Sequence, residues 1–298
     1  MTTYSEETIL YDRSANPNYI PRVAAVHDLC GYGKCSLGVA IPIISAGGCD
    51  VCPVPTGIFS SHTAFPGWYM HDTTAILNDY LTAWKTIDVE LDAIYSGFLG
   101  APEQVDIIRT LYAEHPKALR VVDPVMADHG KVYPTYTPEL CSAMADLACD
   151  ADILTPNLTE AAIILGEEWH GTDISDDEAK RMIDALLARG AKNVVLKGIQ
   201  RGDGVIRNFV AGVDTDIYEA SNEYLPYMLH GTGDVYCSSL LAAIMAGKTL
   251  ESAVDFAGKI THDAMIVSAH QPNFEARGVS FEPLLGDVAA LLKKHTSA

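Results

Sequence analysis

Val23-Ala24-Ala25-Val26, a glycine-rich turn at Gly31-Tyr32-Gly33, a helical stretch from about Ser36 to Ala46 and a second apolar run from Asp50 to Pro55 set the reading of the whole chain. The first run is short and apolar throughout, as in a strand buried on both faces. The stretch after the turn is long enough for a helix, and the third segment returns to strand character. Strands that alternate with helices of this length predict a mainly parallel sheet covered on both sides.

The alternation continues outward. Helices are predicted over Thr74 to Trp84, Glu103 to Glu114, Glu139 to Leu147, Leu158 to Leu165 and Asp176 to Arg189, and strands over Ala93-Ile94-Tyr95, Leu119 to Val122, Asp152 to Leu154 and Asn193 to Leu196. Gly204 to Val210 and Asp216 to Ala220 are expected to pair as an antiparallel edge, before helices over Asp234 to Met245 and Leu250 to Ala269. No internal repeat or interdomain linker interrupts this order. Residues 1–20 are expected to be a loosely ordered N-terminal extension and residues 21–298 a single domain.

Composition narrows the class. With 39 acidic against 20 basic residues, the formal charge of −19 argues against nucleic acid and anionic membrane as partners, because both are held by Lys and Arg patches. No apolar run reaches the roughly 18 residues of a membrane span, and the polar start lacks the pattern of a signal peptide. Seven cysteines, an odd number, fit reduced thiols in a cytoplasm better than a disulfide framework. Cys49-Asp50-Val51-Cys52 has no second close pair to complete a zinc site.

Ligands of such sheets bind beyond the carboxyl ends of the strands. The polar clusters of this chain follow strands: His27-Asp28, Thr56 to Thr63, Ser96-Gly97-Phe98, Asp123, Asn157 and Lys197-Gly198. They are therefore expected to converge on one edge. There they meet His230-Gly231-Thr232-Gly233-Asp234, which leads into the apolar run Val235 to Ala243. Two glycines at a helix mouth let several N–H groups point outward, and the helix dipole favours an anion. Asp234 would repel a phosphate if it only bound one. It makes sense as a base acting on a hydroxyl that attacks a phosphoryl group.

Other motifs admit two readings. Asn157-Leu158-Thr159-Glu160 has the spacing of a capping box, or else faces both side chains toward a nucleotide and Mg²⁺. Asp123-Pro124 is a solvated turn or a carboxylate near metal-bound phosphates. His129-Gly130-Lys131 is a surface loop or a flap over the phosphates. Gly31-Tyr32-Gly33-Lys34 matches neither a P-loop nor a dinucleotide fingerprint and is placed around the acceptor.

Taken together, Phe59-Ser60-Ser61-His62-Thr63, Asp123-Pro124-Val125-Met126, Thr155-Pro156-Asn157-Leu158-Thr159-Glu160 and Gly231-Thr232-Gly233-Asp234 resemble the pyridoxal/pyridoxamine/pyridoxine (vitamin B6) kinases of the ribokinase-like superfamily, over about Arg22 to His270. The resemblance implies a three-layer α/β/α fold with an antiparallel edge. It implies ATP-dependent phosphorylation of the 5′-hydroxymethyl group of a B6 vitamer in pyridoxal phosphate salvage, by a cytoplasmic homodimer that uses Mg²⁺ and a monovalent cation such as K⁺. Asp234 then matches the base and Gly231, Thr232 and Gly233 the anion hole. Val26, Asp28, Thr56, His62 and Phe98, with Asp234, match the substrate side. Asp123, Asn157 and Lys197, with Thr232 and Gly233, match the ATP side, and Asp123, Asn157 and Glu160 the metal side.

Val195-Leu196-Lys197-Gly198 and the acid of Asp28-Leu29-Cys30-Gly31 resemble instead the hydroxymethylpyrimidine kinases of thiamin synthesis, and Val26 stands where a serine is common in the B6 kinases. Those relatives usually carry Cys rather than Asp after Gly-Thr-Gly. A catalytically inactive B6-binding protein is the remaining alternative, although binding alone requires neither a base nor a metal site.

Overall fold

The computed structural model describes residues 8–292. In chain order the main elements are β1 (Arg22–Cys30), α1 (Leu37–Ala46), β2 (Asp50–Phe59), β3 (Met70–Asp72), α2 (Thr74–Lys85), β4 (Ala93–Ser96), α3 (Pro102–Glu114), β5 (Leu119–Val122), β6 (Ala127–Asp128), β7 (Lys131–Val132), α4 (Pro138–Ala148), β8 (Ile153–Leu154), α5 (Leu158–Leu165), α6 (Asp176–Ala188), β9 (Asn193–Gln200), β10 (Val205–Gly212), β11 (Tyr218–Glu223), α7 (Thr232–Met245) and α8 (Leu250–Ala269).

Nine strands form one sheet in the order β11-β10-β9-β8-β5-β4-β1-β2-β3. The strands from β9 to β2 are parallel, and β10 and β11 add the expected antiparallel edge. β3 is an antiparallel strand at the opposite edge that the sequence pattern did not announce.

Successive strand residues face opposite sides, so a strand covered on both faces reads as a continuous apolar run. Ala24, Val26, Val54, Ile94, Val122 and Leu154 pack with α2 to α6 on one side. Val23, Ala25, Ala93, Tyr95, Val121 and Ile153 pack with α1, α7 and α8 on the other. The result is three layers. β2 tolerates Pro53 and Pro55 because β3 covers only Gly57 to Phe59, leaving the earlier half of β2 as an edge. The outward carbonyls of those prolines accept from Tyr80 Oη and Thr73 Oγ1 at 2.7 and 2.6 Å.

β1 and β2 run further than their apolar runs suggested. Pairing continues through His27↔Pro55 to Cys30↔Phe59, with a register shift between His27 and Leu29. His27, Asp28 and Thr56 are therefore strand residues rather than loop residues, and the irregularity re-aims Asp28 at the sheet edge.

Of the stretch expected to form a loose extension, residues 1–7 lie outside the described residues. The remainder is tied to the body. Ile9 bridges Thr249, and the Arg13 guanidinium donates to Met245 O and Gly48 O, both at 3.2 Å.

Gln104 on α3 joins three segments at the β2–β3 edge. Its side chain, fully buried, donates to Thr56 O (2.8 Å) and Thr74 Oγ1 (2.9 Å) and accepts from Gly100 N (2.8 Å). Gln104→Leu leaves the buried Thr56 O without its partner, at about 1–3 kcal/mol, and removes two part-buried hydrogen bonds besides. Denaturant unfolding of this variant should show a loss of at least about 2 kcal/mol.

Candidate active site

The carboxyl ends of β1, β2, β4, β5, β8 and β9 open toward the start of α7. Gly231, which precedes α7, has φ +86°, and a Cβ there would lie 2.1 Å from the main-chain oxygen of Lys34. Only glycine fits that approach. No side chain caps this helix, and helical geometry leaves the first-turn N–H groups of Thr232, Gly233 and Asp234 without acceptors one turn back. They lie where the sequence leads one to expect an anion site. Thr232 Oγ1 turns aside to donate to Leu229 O at 3.2 Å. A Cβ on Gly233 would stand 4.0 Å from Asp123 Oδ2, which places that carboxylate at the helix mouth.

Asp234 lies in the first turn, where the dipole and N–H groups of a helix start favour a charged carboxylate. Burial outweighs them. Its pKa is pushed up to about 7 by desolvation and by the charges of Asp123 and Asp28, while the Ser36 N–H and Lys197 pull it down. Asp28 is buried as well, and desolvation raises it to about 6 against a hydrogen bond of 2.5 Å from Ser36 Oγ.

On the other flank, Lys197 Nζ lies 3.0 Å from Asp123 Oδ1, which also accepts from Thr155 Oγ1 at 3.1 Å. Burial works against the charge on Lys197, but the carboxylates of Asp123 and Glu160 more than compensate and raise its pKa.

Asn157 and Glu160 form a complete capping box. Asn157 Oδ1 accepts from the N–H groups of Thr159 and Glu160, both at 2.9 Å, and Glu160 Oε2 accepts from Asn157 N at 2.9 Å. Asn157 Nδ2 donates to Ala127 O at 2.9 Å. Two N–H groups are directed at the Asn157 amide oxygen, so this residue positions α5 and the β6–β7 hairpin. Glu160 is buried, and desolvation with the nearby Asp123 charge raises its pKa to about 8. The His129-Gly130-Lys131 segment, read as a surface loop or a flap, belongs to this hairpin. It turns through His129 and Gly130, both at positive φ, and Gly130 N is held by Thr159 Oγ1 at 2.9 Å.

The remaining expected residues surround the β1–β2 end. Thr56 is fully buried, and its hydroxyl donates to Phe98 O at 2.7 Å. Phe98 stands edge-on to Phe59 and Tyr136. Val26 is enclosed in the sheet, opposite Val54 and Ser96. His62 Nε2 lies 2.9 Å from Ala276 O, and its ring stacks on His230 at 4.6 Å, which brings it beside the anion site. Clefts of about 370 and 680 Å³ around α4, α5 and α6 are lined by other residues.

The site therefore has two carboxylate groups flanking one helix start: Asp28 with Ser36, and Asp123 with Lys197. Ser36 and Thr155 were not singled out in the sequence. Ser36, directly before an apolar helix, had the type and place of an N-cap, which offers the only local sign. Thr155 was visible only as part of Thr155-Pro156-Asn157.

Residues 44–279 match the family model described as phosphomethylpyrimidine kinase. The pyridoxine/pyridoxal/pyridoxamine kinase of Bordetella avium is 29% identical over 258 residues, which cover 82% of this chain and 84% of that protein. The hydroxymethylpyrimidine/phosphomethylpyrimidine kinase of Haemophilus influenzae is 28% identical over 236 residues, covering 72% and 85%. A Bacteroides thetaiotaomicron protein, assigned as a phosphomethylpyrimidine kinase and crystallised with pyridoxal, superposes with a TM-score of 0.87 at 32% identity, covering 91% of this chain and 96% of its own.

Gly231→Ala tests how tightly the helix start is docked. The added methyl meets main chain rather than a flexible side chain, and the positive φ adds strain of about 1–3 kcal/mol. A melting temperature lowered by several degrees, with turnover reduced at least about ten-fold through a displaced anion site, is the expected result.

Proposed function

We propose that this chain, which belongs to the phosphomethylpyrimidine kinase family, transfers the γ-phosphoryl group of ATP to the 5′-hydroxymethyl group of a vitamin B6 vitamer. The observation that carries the reading is Asp234 in the first turn of α7, behind an uncapped Gly231-Thr232-Gly233 mouth. An acid beside an anion site serves a hydroxyl nucleophile. Its pKa near 7 suits a group that must be ionised to accept a proton near neutral pH.

In this reading, Asp234 takes the proton of the alcohol as its oxygen attacks the γ-phosphorus, and ADP leaves. The N–H groups of Thr232, Gly233 and Asp234 receive the charge of the transferred phosphoryl group. Phosphoryl transfer has a loose transition state, so positioning and charge stabilisation supply most of the catalysis. Lys197, fixed by Asp123, supplies positive charge on the nucleotide side. The rings of Phe98 and Phe59 offer an apolar wall for a flat heteroaromatic substrate.

The donor set fits Mg²⁺ that arrives with the nucleotide. Asp123 and Glu160 are buried together with Lys197 as their nearby cation, and Mg²⁺ characteristically uses one or two carboxylates plus waters and phosphates. These two acids would hold it, and it would neutralise phosphate charge. A monovalent cation, a homodimer and a cytoplasmic setting belong to the same reading.

A second reading, phosphorylation of hydroxymethylpyrimidine, is favoured by Val195-Leu196-Lys197-Gly198 with its Lys197–Asp123 pair. Both substrates are flat rings bearing a primary alcohol. The Asp at position 234 favours the B6 vitamer.

ATP-dependent turnover of pyridoxal, pyridoxamine, pyridoxine and hydroxymethylpyrimidine, measured side by side, decides between them by relative kcat/KM. A B6 vitamer is expected to lead. Preference for the pyrimidine overturns the substrate assignment, and absence of turnover points to a binding protein. Asp234→Asn should lower kcat by roughly 10²–10⁴. Activity of the unaltered protein should fall as pH drops through about 7, because protonation removes the base. The same variant should melt higher than the parent at pH 8, with a smaller difference at pH 5. The raised pKa means the folded state binds more protons than the unfolded chain between these limits, so ionised Asp234 opposes folding as pH rises.

A further inference from the structure

Ser36 stands between two acids of the site on a backbone that a serine rarely adopts. Its φ is +52° and ψ −131°, and it is 6% exposed. Glycine would hold this conformation without strain, whereas a side chain here costs about 1–3 kcal/mol. What the side chain does is visible: Ser36 Oγ donates to Asp28 Oδ1 at 2.5 Å. The backbone N–H of the same residue favours the charged form of the Asp234 carboxylate. One residue thus addresses the acceptor-side acid with its hydroxyl and the base with its main chain.

We infer that Ser36 is a positioning residue, which fixes the orientation and charge of Asp28 and through it aligns the substrate alcohol with Asp234. The inference rests on the kinase reading above for what lies between the two acids. Helix α1 begins at Leu37, so the strained residue is anchored by a ten-residue element packed on the sheet. That rigidity lets the hydroxyl stay aimed. Asp28 is also faced by the thiols of Cys30 and Cys35, by Asp234 on α7 and by Tyr136 ahead of α4. None of these is a cation, so the charged form of Asp28 is favoured chiefly by the Ser36 hydroxyl and then by the main-chain N–H of Asp28 itself.

Two variants separate positioning from backbone shape. Ser36→Ala keeps the strain and removes the hydroxyl, and Ser36→Gly removes both. With the best alcohol substrate, both should lose at least about ten-fold in kcat/KM, mainly through KM for the alcohol, with KM for ATP unmoved. Thermal melts should show Ser36→Gly at least as stable as Ser36→Ala. Asp28→Asn should remove most of the same effect, and adding Ser36→Ala to it should cost less than about two-fold more. If Ser36→Gly instead restores parental kcat/KM, or if the two changes are additive, the residue is only a backbone element and the inference fails. Carbon-13 titration of the Asp28 carboxyl provides a readout that needs no turnover: Ser36→Ala should move its midpoint to higher pH. An unmoved midpoint overturns the Ser36–Asp28 link. Failure of the parent protein to phosphorylate any alcohol overturns the kinase reading and leaves this titration to judge the link.

Discussion

The approach of Gly231 to the Lys34 main chain is the contact on which the site depends. It brings the first crossover loop, between β1 and α1, against the head of α7, two elements distant in sequence. With that contact made, Asp28 and Ser36 on one side share a small volume with Asp234 on the other. Residues after α8 brace the same junction. Val279 N donates to His230 O at 3.0 Å, and Lys34 pairs with Glu282. A single added methyl group at position 231 would push these apart, which is why the constraint is local in chemistry and global in consequence.

Gathering carboxylates around a helix start has an energetic consequence. Asp28, Asp234 and Glu160 all hold their protons above the usual carboxylate range because burial penalises their charges. Their ionisation opposes folding as pH rises from that range toward about 8. Lys197 offsets part of the charge, and the dipole of α7 adds more. The fold supplies the balance through the apolar layers on each face of the sheet. The site is thus under-neutralised by its own residues.

The Asn157–Glu160 motif shows how a structural and a functional role combine. Its side chains are spent on capping α5 and on holding Ala127, the first residue of the β6–β7 hairpin. That hairpin lies beside Asp123, through the short segment that follows β5. Capping therefore sets the height of the hairpin over the site, and only Glu160 keeps a carboxylate close enough to influence Asp123 and Lys197. Asn157 thus acts on the site through geometry, and Glu160 through its carboxylate.

The sequence by itself determined the layered α/β architecture, because runs such as Val23 to Val26 and Leu119 to Val122 are apolar at consecutive positions and only a sheet covered on both faces buries both sides. It also laid out Gly231, Gly233 and Asp234 at a helix mouth, the pattern from which an anion site with a base is proposed, since those properties are local to the backbone and one side chain. The tertiary structure alone decided the rest. β1 and β2 extend through His27, Asp28 and Thr56 because strand pairing, a long-range interaction, continues past the apolar run. β3 exists because β2 has an open edge, which no local pattern reports. Asp234 is not held firmly ionised as a helix start would suggest, because desolvation and two neighbouring acids outweigh the dipole. Ser36 takes its place in the site only when α1 and α7 are brought together. Local chemistry was legible in the chain, while burial, pairing and proximity belong to residues far apart along it.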